Sequence, residues 1–377
     1  MSALTAGVFD HALPPLAIDA LVGKALSTRA WVAFSLSGGK DSGASACAVS
    51  CWLDHIGHPR DRRIAIHADL GRAEWRSTPA MVEAIAARIN VPLIVVRRPA
   101  GDMVARWEQR FESGKRRYEA LETYNLIGPW SSSSLRFCTS ELKLQVIGPE
   151  LARRFRGETI ISVIGLRRSE SIGRRNTPIS RLDERFARSG NTAATRMISW
   201  NPLVDWSTAD ILAAHARHDL PLHEAYHLYG ATRLSCAFCV LASLHDLGAA
   251  TDAPDNLDLY IHLVAMEADS TFSFQPQRWL ADIAPALLPG SLLRDVERAK
   301  RSAGERRQIE AGMPAGLRFV KGWPPRLPTP AEATRIAVAR GAILDRHRLQ
   351  NIFPDGPAIF FRFAQLLDAK ANRTTAH

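Results

Sequence analysis

Residues 34–42 read Phe-Ser-Leu-Ser-Gly-Gly-Lys-Asp-Ser, a combination able to hold an anion. Gly38 and Gly39 carry no side chain, so backbone amides can approach a phosphate closely. A helix starting here adds the partial positive charge of its N-terminus, and Lys40 adds a full one. Ser37 and Ser42 contribute hydroxyl donors. The loop is not a Walker A sequence, because Asp41 follows Gly39-Lys40 and Phe34 stands where that motif needs its first glycine. The plain alternative is an ordinary glycine turn, which the apolar run before it and the alanine-rich stretch after it disfavour. Sulfur forms a second set of reactive groups. Cys138 falls at a predicted helix start beside Arg136, a setting that favours the thiolate, and Cys236 and Cys239 form a CxxC pair suited to metal or redox chemistry. Cys47 and Cys51, four apart on one helix face, read as small packing residues, although a metal pair is conceivable. A third set is basic: Arg167, Arg168, Arg174 and Arg175 could fork onto phosphate or sulfate.

These groups need elements to position them. Residues 30–34 read as a buried parallel strand, 43–53 as a helix, 63–68 as a second strand, 78–89 as a helix and 92–96 as a third strand. Such alternation predicts an α/β fold with a doubly wound, mainly parallel sheet, whose ligands lie beyond the carboxyl ends of the strands. The glycine loop sits at one such end. Asp69 and Gly71, just past the second strand, are placed to hold the nucleoside half of a nucleotide. Further along, a helix begins near Thr139 or Ser140, strands cover 160–164 and 197–204, and Ser207 with Asp210 caps a helix over 208–218. The polar stretch 177–196 reads as a loop over the site. A short amphipathic helix over 16–26 precedes all of this. Beyond residue 245, helices are predicted over 254–266, 276–288, 292–311, 330–349 and 357–370. The expected organisation is an N-terminal helical segment (1–27), an α/β domain (28–245) and a helical C-terminal appendage (246–377).

Charge narrows the partners. Over 377 residues the formal net charge is +10, which favours a polyanion such as DNA or tRNA. The basic helical stretch 102–121, with Arg106, Arg110, Lys115, Arg116 and Arg117, and the clusters Lys300-Arg301, Arg306-Arg307 and 346–348 are candidates for that contact; the bland alternative is a solvated face. Five cysteines, an odd number, point to metal or catalytic use rather than a disulfide framework. No stretch has the pattern of a membrane span or secretory leader, so a cytoplasmic protein is expected.

Taken in order, SGGKDS (37–42), RFCTSELK (136–143), GLRRSES (165–171), ISWNPLVDW (198–206) and PLHEAY followed by Gly230, Arg233 and CAFC (221–239) resemble the phosphoadenylyl-sulfate (PAPS) reductase family. That family lies within the PP-loop ATP pyrophosphatase superfamily, with the adenine nucleotide alpha hydrolase-like fold, and the resemblance is nearest to its DndC-like DNA phosphorothioation proteins. It spans roughly residues 28–270 and implies that Ser35, Ser37, Gly38, Gly39, Lys40, Asp41 and Ser42 bind ATP together with Asp69 and Gly71. Lys40, Asp41 and Ser42 act in catalysis on this reading, and Mg²⁺ accompanies the nucleotide. It also implies an iron–sulfur cluster, of [4Fe-4S] type, on Cys138, Cys236 and Cys239, with Arg136, Arg167, Arg168 and Arg174 on substrate phosphate.

Two departures shape the functional expectation. Thr139 follows Cys138, where cluster-containing sulfonucleotide reductases carry paired cysteines, so three thiolates are available and one iron is left open. No cysteine follows Cys239, and the reductases use a late nucleophilic one. The expected function is therefore ATP-dependent sulfur transfer to nucleic acid, DNA ahead of tRNA: the substrate is adenylated with release of pyrophosphate, then sulfur is inserted. A cysteine desulfurase as sulfur donor and DNA-modification subunits would be the partners. Three alternatives stay open: a sulfonucleotide enzyme of reductase or sulfate adenylyltransferase type, an ATP-sensing iron–sulfur nucleic-acid-binding protein, and a structural subunit. The metal is open too, since three sulfurs could hold zinc with a fourth ligand such as His223, or the CxxC could be a simple dithiol.

Overall fold

A computed structural model describes residues 13–186 and 194–375. The chain divides into two compact units, Met1–Met103 with Arg136–Asn256, and Val104–Leu135 with Leu257–His377.

The first unit holds α1 (Ala20–Ser27), β1 (Trp31–Ser35), α2 (Lys40–His55), β2 (Arg63–Asp69), α3 (Thr78–Arg88) and β3 (Leu93–Arg97). After α4 (Met103–Glu119), which from Val104 belongs to the second unit, it resumes with α5 (Phe137–Thr139), a π-helical segment (Ser140–Leu144) and α6 (Gln145–Arg154). Then come β4 (Thr159–Ile164), β5 (Ser180–Leu182), β6 (Arg196–Trp200), α7 (Thr208–Arg217), α8 (Glu224–His227) and α9 (Leu244–Thr251). Six strands form one sheet in the order β3-β2-β1-β4-β6-β5, parallel except for β5 against β6. The expected doubly wound, mainly parallel sheet is thus present. Its strand order reverses direction between β1 and β4, the switch point at which such sheets open a crevice.

Both faces are covered, which explains the nearly continuous apolar strands. Val32 and Phe34 of β1, Ala65 of β2, and Ile161 and Val163 of β4 pack on one face with Val22 of α1, Val49 and Leu53 of α2, and Val82 and Ile85 of α3. Their odd-register neighbours Ala33, Ile64, Ile66 and Ile160 pack on the other with Leu151 of α6. The period of two along each strand sorts the side chains in this way. Ala44 of α2 meets Ile211 and Ala214 of α7 together with Leu203 and Trp206.

Local signals were mostly met, with four differences, the first being that the strand expected over 197–204 ends at Trp200. The helix after the glycine loop starts at Lys40 rather than Gly43, so the lysine is itself its first residue. No side chain of Thr139 or Ser140 caps a helix, because the chain already turns helical at Phe137 and runs on through the π segment. Part of the expected 177–196 loop is the edge strand β5, while 187–193 lie outside the described residues.

The second unit is helical: α4, α10 (Leu257–Ser270), α11 (Gly290–Ala311), α12 (Pro330–Arg346) and α13 (Gly356–Thr375). Residues 276–288 form two short turns, Leu280–Asp282 and Pro285–Leu287, instead of the predicted helix. Gln277 has φ +63, and Pro285 and Pro289 cannot donate the bonds a helix needs. The Glu267 carboxylate on α10, 0% exposed, takes the N–H groups of Phe274 (2.6 Å), Leu280 (2.7 Å) and Ala281 (3.1 Å) instead. Several basic residues expected at a surface are structural. Arg306 stacks on Phe272 at 3.5 Å and donates to the Thr271 carbonyl, Arg346 pairs with Glu305, and Lys300 pairs with Asp282 and Glu297.

Burial raises the Glu267 carboxyl to about 7 from an unfolded value of 4.5. A raised folded value means that the folded state holds the extra proton, so this contribution is complete below pH 4.5 and is lost as pH rises through 7. Denaturant unfolding should show the second unit losing about 3 kcal/mol across that window, and Glu267→Gln should flatten the slope. An unchanged slope in the variant would assign it to other groups.

Candidate functional site

The glycine loop closes on itself at the switch point. Gly38 has φ +72, a conformation open to glycine at no steric cost. Ser42 Oγ donates to the Gly39 carbonyl (2.9 Å) and accepts from the Ser37 amide (3.2 Å), with Ser37 Oγ at 3.1 Å. The N-cap residue Gly39 has no side chain to cap α2. Ser35, at the end of β1, reaches Ser162 Oγ of β4 at 3.3 Å. His67 fixes the loop's entry: its Nδ1 is 3.0 Å from the Leu36 carbonyl and its Nε2 3.3 Å from Glu74. Burial acts against the imidazolium, yet Glu74 and the carbonyl raise His67 above its ordinary value.

Lys40 is 8% exposed. Its ammonium lies 3.2 Å from the Thr232 carbonyl, 3.5 Å from Asp41 and 4.8 Å from the centre of the Tyr226 ring. The Tyr226 hydroxyl accepts the amides of Lys40 (3.4 Å) and Leu234 (3.0 Å), and burial pushes this phenol up to about 12. His215 of α7 holds the Lys40 carbonyl at 2.7 Å. Neither Tyr226 nor His215 could be assigned to the loop by sequence reasoning, although Tyr226 ends the PLHEAY motif.

The predicted arginines divide by environment. Arg167, 4% exposed, puts Nε 2.6 Å from Asp41 and also donates to Ser169 (2.9 Å) and Thr208 (3.3 Å). It is committed to the loop rather than open to a ligand. Arg168 pairs with Asp205 and donates to the Thr177 carbonyl at 3.0 Å. Arg174 pairs with Glu170. Burial, then the guanidiniums of Arg136, Arg233 and Arg167, hold Arg174 below its ordinary value, with Asp41 working the other way. Four arginines therefore crowd one place beside the loop, and an anion there would relieve their repulsion. Gly165 permits this approach: a Cβ at that position would lie 2.5 Å from the Asp41 carbonyl oxygen.

Asp69 lines a cavity of about 370 Å³ with His67, Val82, Glu83, Val95 and Arg97. Its carboxylate is shared between Arg97 (2.6 Å) and the Gly71 amide (2.6 Å), so Gly71 supports Asp69.

The sulfurs meet next to the loop. Leu234 packs against the Gly38–Gly39 turn, and five residues later the chain has passed both Cys236 and Cys239. Burial, then the Cys239 and Cys138 thiols, push Cys236 well above the ordinary thiol range, with Lys143 opposing. The Leu241 amide points at Cys239 Sγ (3.4 Å) and Arg233 lies 3.9 Å from it. Arg233 thus borders both the arginine cluster and the thiols. The sulfurs of Cys138, Cys236 and Cys239 do not all lie within 4.8 Å of one another. His223 is not placed to be a fourth ligand: its Nδ1 accepts the Ala225 amide (3.1 Å) and its Nε2 faces Ser77 and Thr78 hydroxyls at 3.1 Å.

Inorganic pyrophosphate should raise the Tm of the protein. Arg174→Ala should weaken its binding about tenfold, and Arg168→Ala, which lies outside the group of arginines acting on Arg174, far less. Equal shifts in wild type and Arg174→Ala would remove the arginine cluster from anion binding.

The family model of the phosphoadenosine phosphosulfate reductase domain matches residues 31–242, from β1 to just past the CxxC pair. No curated protein matches the chain. Similar solved structures include the PAPS reductase from Candida auris as a phosphate complex, at 16% identity and TM-score 0.36 over 57% of this chain and 86% of that one. Candida glabrata FMN adenylyltransferase, in complex with FMN and the ATP analog AMPCPP, is similar at 16% identity and TM-score 0.35 over 61% and 68%.

Proposed function

The chain belongs to the phosphoadenosine phosphosulfate reductase domain family, a family of nucleotide-using enzymes, and from that membership we propose that it is an ATP-dependent sulfur transferase acting on nucleic acid, of the DndC-like DNA phosphorothioation type. The observation that carries this reading is the adjacency of the glycine loop, the arginine cluster and three thiols, linked by residues 232–239. The net charge of +10 favours a polyanionic acceptor, DNA ahead of tRNA.

In the proposed reaction a substrate oxygen attacks the α-phosphorus of ATP. The bond to the bridging oxygen breaks, and pyrophosphate leaves into the loop. Sulfur at the sulfide level then displaces the adenylated oxygen, releasing AMP. Lys40 and the first-turn amides of α2 stabilise the charge that grows on the leaving group. Arg136, Arg174 and Arg233 hold the acceptor's phosphate, and Arg167 keeps Asp41 from repelling it. Mg²⁺ would arrive with the triphosphate, because the loop's carboxylate, Asp41, is already shared between Arg167 and Lys40. Cys138, Cys236 and Cys239 would hold an iron–sulfur cluster, which when bound supplies a sulfur-carrying and electron-accepting centre. A cysteine desulfurase would provide the sulfur, and companion DNA-modification subunits would present the DNA.

Pyrophosphate release by anaerobic protein, compared across DNA, tRNA and sulfate, tests the substrate class. DNA should accelerate it most, whereas sulfate-dependent exchange would favour a sulfonucleotide enzyme. Lys40→Ala should lower release at least about a hundredfold with unchanged circular dichroism. Iron and acid-labile sulfide should be present in the wild type and lost in Cys236→Ser. A colourless, iron-free protein with full activity would sink the cluster.

A further inference from the structure

A second sulfur-bearing group lies elsewhere in the first unit, and the activity proposed above does not use it. Cys47 and Cys51 are four apart on α2 and so share a face; His218 is the C-cap residue of α7. The two Sγ atoms and one imidazole nitrogen all lie within 4.8 Å of one another. Cys47 is buried in the core, His218 is half-buried and Cys51 is exposed, so the group opens to solvent at one corner. Nothing in the local sequence announces it, because His218 comes from a helix more than 150 residues along the chain.

We propose that Cys47, Cys51 and His218 form a three-ligand site for a zinc-class divalent ion, with its fourth position toward solvent, that fastens α2 to α7. Two thiolates and an imidazole are the donor set of a borderline-soft tetrahedral ion, and separations under 4.8 Å are those of ligands converging on one metal. The two thiolates balance the ion's charge, which removes the cost of burying charge at Cys47. Without an ion that cost is evident: burial first, then the Cys51 thiol, push Cys47 up to about 12, while Arg88 opposes them. Burial first, then the neighbouring Arg217, Arg88 and His215, lowers the basicity of His218. Binding would release two thiol protons and so tighten as pH rises. The mechanical consequence is specific. The same helix pair is already tied by the His215 imidazole on the Lys40 carbonyl at 2.7 Å, and the ion would add a second fastening farther along α2, the helix that begins at the glycine loop.

Cobalt(II) titration of reduced, full-length protein reads the site directly through thiolate-to-metal charge-transfer bands. Cys51→Ser should bind one equivalent fewer than wild type, and His218→Gln should lose at least about tenfold in affinity at that equivalent; both variants leave Cys138, Cys236 and Cys239 intact. Independently of any variant, one equivalent of zinc should slow iodoacetamide modification of Cys51 about tenfold, as read by peptide mass mapping. Equal cobalt stoichiometry in wild type and Cys51→Ser, or Cys51 alkylation that ignores zinc, would overturn the proposal. Neither readout depends on catalysis, so failure here leaves the sulfur-transfer reading untouched, and the reverse.

Discussion

The pairing of Asp41 with Arg167 at 2.6 Å is the constraint on which the site depends. An acid in the first turn of a helix suits the helix dipole, but at the mouth of an anion site its charge would oppose the ligand. Arg167 removes that conflict. It comes from the segment after β4, the strand beside β1 across the switch point, so the neutralising group arrives from the other wall of the crevice. Its guanidinium also binds Ser169 and Thr208, which ties the start of α7 to the start of α2. Burying such a pair is costly unless the remaining donors are satisfied, and those extra bonds satisfy them. Gly165 is the steric condition for the arrangement.

A second chain of bonds couples the loop to the thiols. Asp246, in the first turn of α9, accepts from the Thr232 amide (2.7 Å) and hydroxyl (2.9 Å), and Ser243 Oγ lies 2.8 Å from it. Burial alone would raise this carboxyl; the bonds from Thr232 and Ser243 hold it below its ordinary value. Thr232 in turn offers its carbonyl to Lys40. The N-terminal cap of α9 thereby sets the position of the run that leads into Cys236. On the proposed reading, the glycine loop and the thiols share one mechanical support.

How much of this could be read from the chain follows from the range of the forces involved. The continuous apolar runs of β1, β2 and β4, and the Ser207–Asp210 capping box of α7, are set within a few residues, and both were legible. The strand, glycine turn and helix around 31–55 were legible for the same reason. Arg167 looked like a ligand-binding arginine because its partner Asp41 is 126 residues away. Cys47 packs in the core as its sequence setting suggests, but the approach of His218 to the two thiols was not legible, because it comes from another helix. Residues 276–288 misled because their apolar spacing is helical, whereas the buried Glu267 takes their amides from outside the segment. The π segment after Cys138 has no local signature at all.

The basic excess is also less uniform than the net charge suggests. In the second unit, Arg306 and Arg340 are buried against aromatic rings, and Arg346 and Lys300 face acids; these cations act as packing and fastening groups. In the first unit, Arg136, Arg233 and Arg167 act as like charges on Arg174 beside the loop, with Asp41 and Glu170 offsetting part of them. Like charges held together in a crevice with low-dielectric walls concentrate the field there. A polyanion would therefore be drawn chiefly to the crevice in which its phosphate is to react. On the proposed reading, attraction and chemistry use the same arginines.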